Sequence, residues 1–136
     1  MNNSAIAQYR DVNASSAVLT ASPHKLISLL FEGYLKRIME AKGAMSRGDK
    51  ALTTESIRKA IQIISELKCS LRDKESNELS QRLDSLYDYI PRLLLAANRE
   101  QSQDKLDEGA RLIITIKESW DKIPEEFHRL SQQGNR

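Results

Sequence analysis

Four runs of apolar residues recur at alternating intervals of three and four, and nothing else in the chain constrains its fold so strongly. The first run carries Ile27, Phe31, Tyr34, Ile38, Ala41 and Met45, and the second Ile57, Ile61, Ile64, Leu67 and Leu71. The third carries Leu79, Leu83, Leu86, Ile90, Leu93 and Ala97, and the fourth Leu106, Ala110, Ile113, Ile116, Trp120 and Ile123. Residues three and four apart share one face of a helix, whereas a strand alternates every two, so each set predicts one buried helical stripe. Five glycines and three prolines in 136 residues are too few for a β protein that must turn every ~8–12 residues. The expected fold class is all-α.

Local punctuation sets the helix ends. At Ser22-Pro23 a serine hydroxyl can accept from an unpaired first-turn amide, and proline has no amide to leave unpaired there. The first helix is expected from about Pro23 to Arg47, closed by Gly48 in the left-handed conformation. The others are expected at about Lys50 to Leu71, Glu78 to Arg99 and Asp104 to Ile123, with Pro124 closing the last from outside. Short connections make successive helices antiparallel neighbours. The reading is an up-down four-helix bundle over residues 22–123, with a short mobile arm or helix at 1–21 and a flexible tail at 124–136. Pro91 falls inside the third helix, where it removes an amide and crowds the carbonyl of Tyr87. The apolar register continues past it, which predicts a kink rather than an end.

The remaining composition excludes more than it suggests. A formal net charge of +2 gives no electrostatic footprint for nucleic acid. No run approaches the ~18 apolar residues of a membrane span, and the start lacks the basic and apolar regions of a signal peptide. The single cysteine, Cys69, has no partner within the chain, so a reducing cytoplasm is expected. Acids precede bases by four at Glu32–Lys36, Glu55–Lys59, Glu78–Arg82, Asp107–Arg111 and Glu118–Lys122, a pattern of solvated helix faces. Glu125 and His128 form one Glu-x-x-His, but a di-iron bundle needs two such motifs and two further glutamates. His24 reads as a surface residue, and Cys69 as a thiol on the far side of its helix from the stripe. No catalytic residue, metal or cofactor is expected.

Apolar residues exceed what four stripes require. Leu26, Leu29, Leu30, Leu35 and Met39 add to the first helix, Ile63 to the second, Tyr89 and Leu95 to the third, and Leu112 and Ile114 to the fourth. An apolar surplus on several helices suggests a groove for a partner's helical segment. In residues 1–21, Ile6 and Tyr9 would share a face of a helical turn and could cover that surface.

Thr20-Ala21-Ser22-Pro23-His24-Lys25-Leu26, then Leu30 and Glu32-Gly33, resemble the flagellin export chaperone family, FliS. The likeness continues through Gly48-Asp49, Lys59-Ala60, Ile63-Ile64, Glu66-Leu67, Leu86-Tyr87-Asp88-Tyr89, Arg92-Leu93 and Ala97-Asn98, and ends near Trp120. Glu32 stands where aspartate is usual and Tyr34 where a small residue is common, and Pro91 is atypical. The resemblance implies an ATP-independent cytosolic chaperone that binds the C-terminal segment of flagellin. It would prevent premature polymerisation and keep the subunit competent for the flagellar type III export gate. The flagellin groove would involve Leu26, Leu29, Leu30, Gly33, Tyr87, Tyr89 and Leu95, capped by Ile6 and Tyr9. Partners would be flagellin and the export gate, with no nucleic acid and no membrane insertion, and a homodimer stays open as the client-free state. The alternative is a regulatory helix-binding adaptor of the export system with a non-flagellin partner.

Overall fold

The computed structural model describes residues 22–72 and 75–123. These form four helices and no strand: α1 (Pro23–Ser46), α2 (Lys50–Cys69), α3 (Glu78–Glu100) and α4 (Gln103–Asp121). The all-α bundle read from the periodicity is the fold. Residues 1–21 and 124–136, with Ile6, Tyr9 and the Glu125–His128 motif, lie outside the described residues.

Each helix begins on a side chain that accepts from an otherwise unpaired amide. Ser22 takes Lys25 N at 3.1 Å, Asp49 takes Leu52 N at 3.0 Å, Asn77 takes Ser80 N at 3.1 Å and Ser102 takes Lys105 N at 3.2 Å. The α1 end follows the expectation: Gly48 adopts φ +73°, and the Asp49 amide bonds back to Ala44 O at 2.9 Å. The α3 end does not use glycine. Gln101 takes the left-handed conformation there at φ 53°, which costs a residue with a Cβ free energy that glycine avoids. Its side chain compensates locally by donating to Asn98 O at 2.7 Å.

Cross-helix pairs fix the topology. Ser28, Glu32 and Lys42 of α1 meet Asp121, Lys117 and Asp107 of α4. The partner numbers fall as the α1 numbers rise, so the pair is antiparallel. Thr54 and Lys68 of α2 meet Asn98 and Asp88 of α3 in the same sense. The helices pack in a ring, each on its neighbours in sequence and α4 closing on α1. Glu55–Lys59 and Glu78–Arg82 form within their helices as expected. Glu32 and Asp107 turn instead to Lys117 and Lys42 on the adjoining helix. These two carboxylates mark an inter-helix seam, which helical spacing alone does not distinguish from an exposed face.

The core holds Phe31, Tyr34, Ile38, Ile57, Ile64, Leu67, Ile90, Leu94, Leu106 and Ile113, all nearly or fully buried. Leu30 and Ile63, counted above as surplus, also belong to it, and Leu35 and Leu112 are partly buried against it. Leu79 departs the other way. It has the stripe's phase, but at the first turn of α3 no facing helix covers it, and it is 64% exposed. α3 runs on through Pro91 without ending.

Tyr34 is fully buried, with its hydroxyl over Gly109 of α4. A Cβ at Gly109 would lie 2.8 Å from that oxygen and 3.2 Å from Leu94 Cδ2. The bulk introduced at position 34 is thus accommodated by glycine on the facing helix. The hydroxyl has no hydrogen-bond partner among the described residues, and burial pushes its pKa up.

Candidate partner-binding surface

Two rows of side chains build the seam between α2 and α3. Thr54, Ile61 and Lys68 lie seven residues apart on α2, and Asp84, Asp88, Pro91, Leu95 and Asn98 follow at intervals of four and three on α3. Residues so spaced share a face. The rows are tied at both ends: Asn98 Nδ2 donates to Thr54 Oγ1 at 3.1 Å, and Lys68 Nζ meets Asp84 at 3.0 Å and Asp88 at 2.7 Å. Those two carboxylates hold the Lys68 pKa above its ordinary value, Asp88 most strongly. Between the ties lie Ile61, partly buried against the core, then Pro91 and Leu95. Leu95 is 54% exposed, so the middle of the seam presents apolar surface held by polar ties.

The other expected groove residues divide by helix face. Tyr89 is exposed on the opposite flank of α3, beside α4, where its hydroxyl donates to Glu108 Oε2 at 2.6 Å. That bond is the main reason its pKa is raised. Leu26 and Leu29 are half-buried in the first two turns of α1. Leu30, Gly33 and Tyr87 are buried; Leu30 and Tyr87 are packing residues of the core. The seven residues therefore do not line one groove. Leu26 and Leu29 belong to α1, Leu95 to the α2–α3 seam and Tyr89 to the α3–α4 seam.

A second cluster closes the bundle where α1 starts and α4 ends. The His24 and Trp120 rings stack with centroids 4.5 Å apart and planes 5° from parallel. Two hydrogen bonds cross in opposite senses: Trp120 Nε1 donates to His24 O at 3.0 Å, and His24 Nε2 meets Trp120 O at 2.8 Å. Ser28 Oγ donates to Asp121 Oδ1 at 2.7 Å, and Lys117 bridges Asp121 at 2.5 Å and Glu32 at 3.8 Å. Partial burial pushes the Asp121 carboxyl up, but the bonds from Lys117 and Ser28 outweigh it and hold the pKa low. His24 is thus a half-buried clasp residue rather than a plain surface side chain. The sequence reading missed this pairing because its members lie 96 residues apart.

Exposed apolar side chains on rigid helices suit the recognition of another chain. Among the described residues no group of three metal-ligating side chains gathers, and no helix is long and apolar enough to cross a membrane. Comparison with known proteins gives this surface a family. Residues 5–126 match the model of the flagellar protein FliS. The chain belongs to the FliS family. A flagellar secretion chaperone FliS of Vibrio cholerae is 33% identical over 123 residues, covering 90% of both chains. A FliSB of Pseudomonas aeruginosa is 39% identical over 88% of this chain and 94% of its own. A FliS of Salmonella typhimurium is 37% identical over 88% and 90%. Members of the FliS family are named as chaperones of flagellar secretion, not as enzymes. The motif blocks from Ser22 to Trp120 fall within the matched range.

Proposed function

We propose that this protein is a cytoplasmic, ATP-independent export chaperone that binds the C-terminal segment of flagellin. It keeps the subunit from polymerising and holds it ready for the flagellar type III export gate. Family membership supports the role, and the observation that carries the mode of binding is Leu95, exposed within a seam tied at both ends. A client that folds as it binds loses chain entropy but covers a large surface, so it can be held firmly and still be released.

Leu26, Leu29, Tyr89 and Leu95 are the proposed client contacts. Leu30, Gly33 and Tyr87 support them from beneath, because their burial leaves them little surface to offer. Ile6 and Tyr9, as in the resemblance, are the proposed cap of the client groove in the free protein.

Co-expression with the C-terminal segment of flagellin from the same cell, followed by size exclusion, should give a 1:1 complex. Its absence with every flagellin of that cell counts against the reading. Ile6→Ala with Tyr9→Ala should raise the binding of an apolar dye to the free protein. Unchanged dye binding removes the capping role.

A further inference from the structure

On the opposite side of the ring from α2–α3 lies the seam between α1 and α4. Glu32, Leu35, Met39 and Lys42 follow at intervals of three, four and three on α1, and Asp107, Ala110, Ile114 and Lys117 do the same on α4. Residues so spaced share a face. The seam is tied at both ends, by Lys117 to Glu32 at 3.8 Å and by Lys42 to Asp107 at 2.6 Å. Between the ties Leu35 and Ala110 are partly buried against the core, while Met39 and Ile114 are exposed. From Ser28–Asp121 through Glu32–Lys117 to Lys42–Asp107, the α4 numbers fall as fast as the α1 numbers rise. Met39 is therefore level with Ala110, and Leu35 with Ile114.

The chain leaves α4 at the Glu32–Lys117 end of this seam. Ile123 N donates to Trp120 O at 3.2 Å in a last turn, and Pro124 then biases Ile123 toward extended backbone. Beyond that proline the next apolar side chains are Phe127 and Leu130. In an extended chain with three residues per turn, residues three apart share a side and each residue advances about 3.1 Å. Folded back along the seam, Phe127 and Leu130 reach up to about 12 and 22 Å from Ile123. Ile114 stands nine residues before Ile123, and the level of Met39 thirteen, or about 14 and 20 Å of helix. Charge agrees with this return path. Lys25 and Lys36 are exposed on the α1 rim and Lys122 at the end of α4, and none of the three makes an ion pair among the described residues. Lys117 already engages Glu32 and Asp121, and on the α4 rim exposed Arg111 and Glu118 offset each other. The rim is thus basic where the chain returns, and Glu125 and Glu126 follow Pro124 directly.

We propose that, in the free protein, residues 124–130 fold back along the α1–α4 seam. Phe127 and Leu130 cover Leu35, Met39 and Ile114, and Glu125 and Glu126 meet the lysines of the rim. A segment of the same chain is the fitting occupant because the strip is small. Two exposed side chains fall far short of the area that a stable interface between separate chains buries, whereas a tethered segment docks at a high effective concentration. The cover leaves the α2–α3 seam open and does not depend on the chaperone reading above.

Met39 supplies the test. The chain has three methionines, so methyl-labelled methionine gives a simple NMR spectrum in which Met39→Leu identifies the Met39 signal. A soluble paramagnetic probe should relax that methyl weakly in the unmodified protein, and Phe127→Ala with Leu130→Ala should raise the relaxation about twofold or more as the covered population falls. Glu125→Lys with Glu126→Lys should raise it at low salt, with a smaller difference at high salt. Relaxation unchanged by the Phe127 and Leu130 substitutions overturns the proposal. A rise with Ile6→Ala and Tyr9→Ala alone assigns the strip to residues 1–21, and a fall with protein concentration assigns it to a second copy; either also overturns it. A benzophenone maleimide attached through Leu130→Cys, in a Cys69→Ser background, gives an independent measurement. It should cross-link within one chain to α1 or α4 near Met39 and Ile114. Cross-links to the α2–α3 seam, only between chains, or none at all overturn the proposal.

Discussion

Tyr34 combines full burial with a hydroxyl that has no partner among the described residues. A buried unsatisfied polar group costs about 1–3 kcal/mol. Tyr34→Phe removes the oxygen without opening a large cavity and is expected to stabilise the protein by ~1 kcal/mol in a denaturant titration. Gly109→Ala tests the same contact from the other side. Alanine is worth ~1 kcal/mol over glycine within a helix, but here its methyl would lie 2.8 Å from the Tyr34 oxygen. The single change should therefore destabilise, and Gly109→Ala should be tolerated better in the Tyr34→Phe background. Additive effects in that double-mutant cycle would show that the two positions do not share the contact. The sequence marked Tyr34 as a core residue larger than usual, but it gave no sign that Gly109, on another helix, makes the room.

At the scale of elements, helix periods and caps were legible because they depend on neighbours one turn away. Pro91 and Gln101 show where local signals fall short. Proline removes one backbone bond from α3, and Pro91→Ala should raise the denaturation midpoint if the restored bond outweighs the greater freedom of the unfolded chain. Gln101 closes α3 in a conformation that only glycine enters freely. Gln101→Gly should stabilise by up to ~1 kcal/mol, less whatever its exposed side-chain bond contributes. The α1–α4 clasp adds a pH dependence. The folded Asp121 pKa lies below the ordinary value of 3.8, so its contribution is present above that pH and lost as the pH falls through the folded value. Trp120 is the chain's single tryptophan, and its fluorescence should change in that acid range. Asp121→Asn should remove that step, and an unaltered acid limb would detach Asp121 from the clasp.

For the whole molecule, the ring of four helices places apolar residues on more than one face. Leu95 lies in the α2–α3 seam, Tyr89 beside α4, and Met39, 73% exposed, on the solvent-facing side of α1. A client wrapping the bundle would meet these patches in succession. Leu95→Glu and Leu29→Glu should each weaken flagellin binding while the circular-dichroism helix signal stays intact. Loss of folding in either variant would return that residue to the core.

The sequence by itself determined the helical class, the approximate helix ends and the family resemblance. All three rest on patterns repeated along the chain: spacing by three and four, caps at fixed offsets, and motif blocks in order. Tertiary structure alone decided which surplus apolar residues stay exposed. Leu30 and Leu95 both look like surplus along the chain, yet Leu30 packs into the core and Leu95 stands open. Tertiary structure likewise chose the partners of Glu32, Asp107 and His24. Periodicity gives a residue's angle about its own helix, but burial depends on where the neighbouring helix axis lies, and that is fixed only when the helices pack.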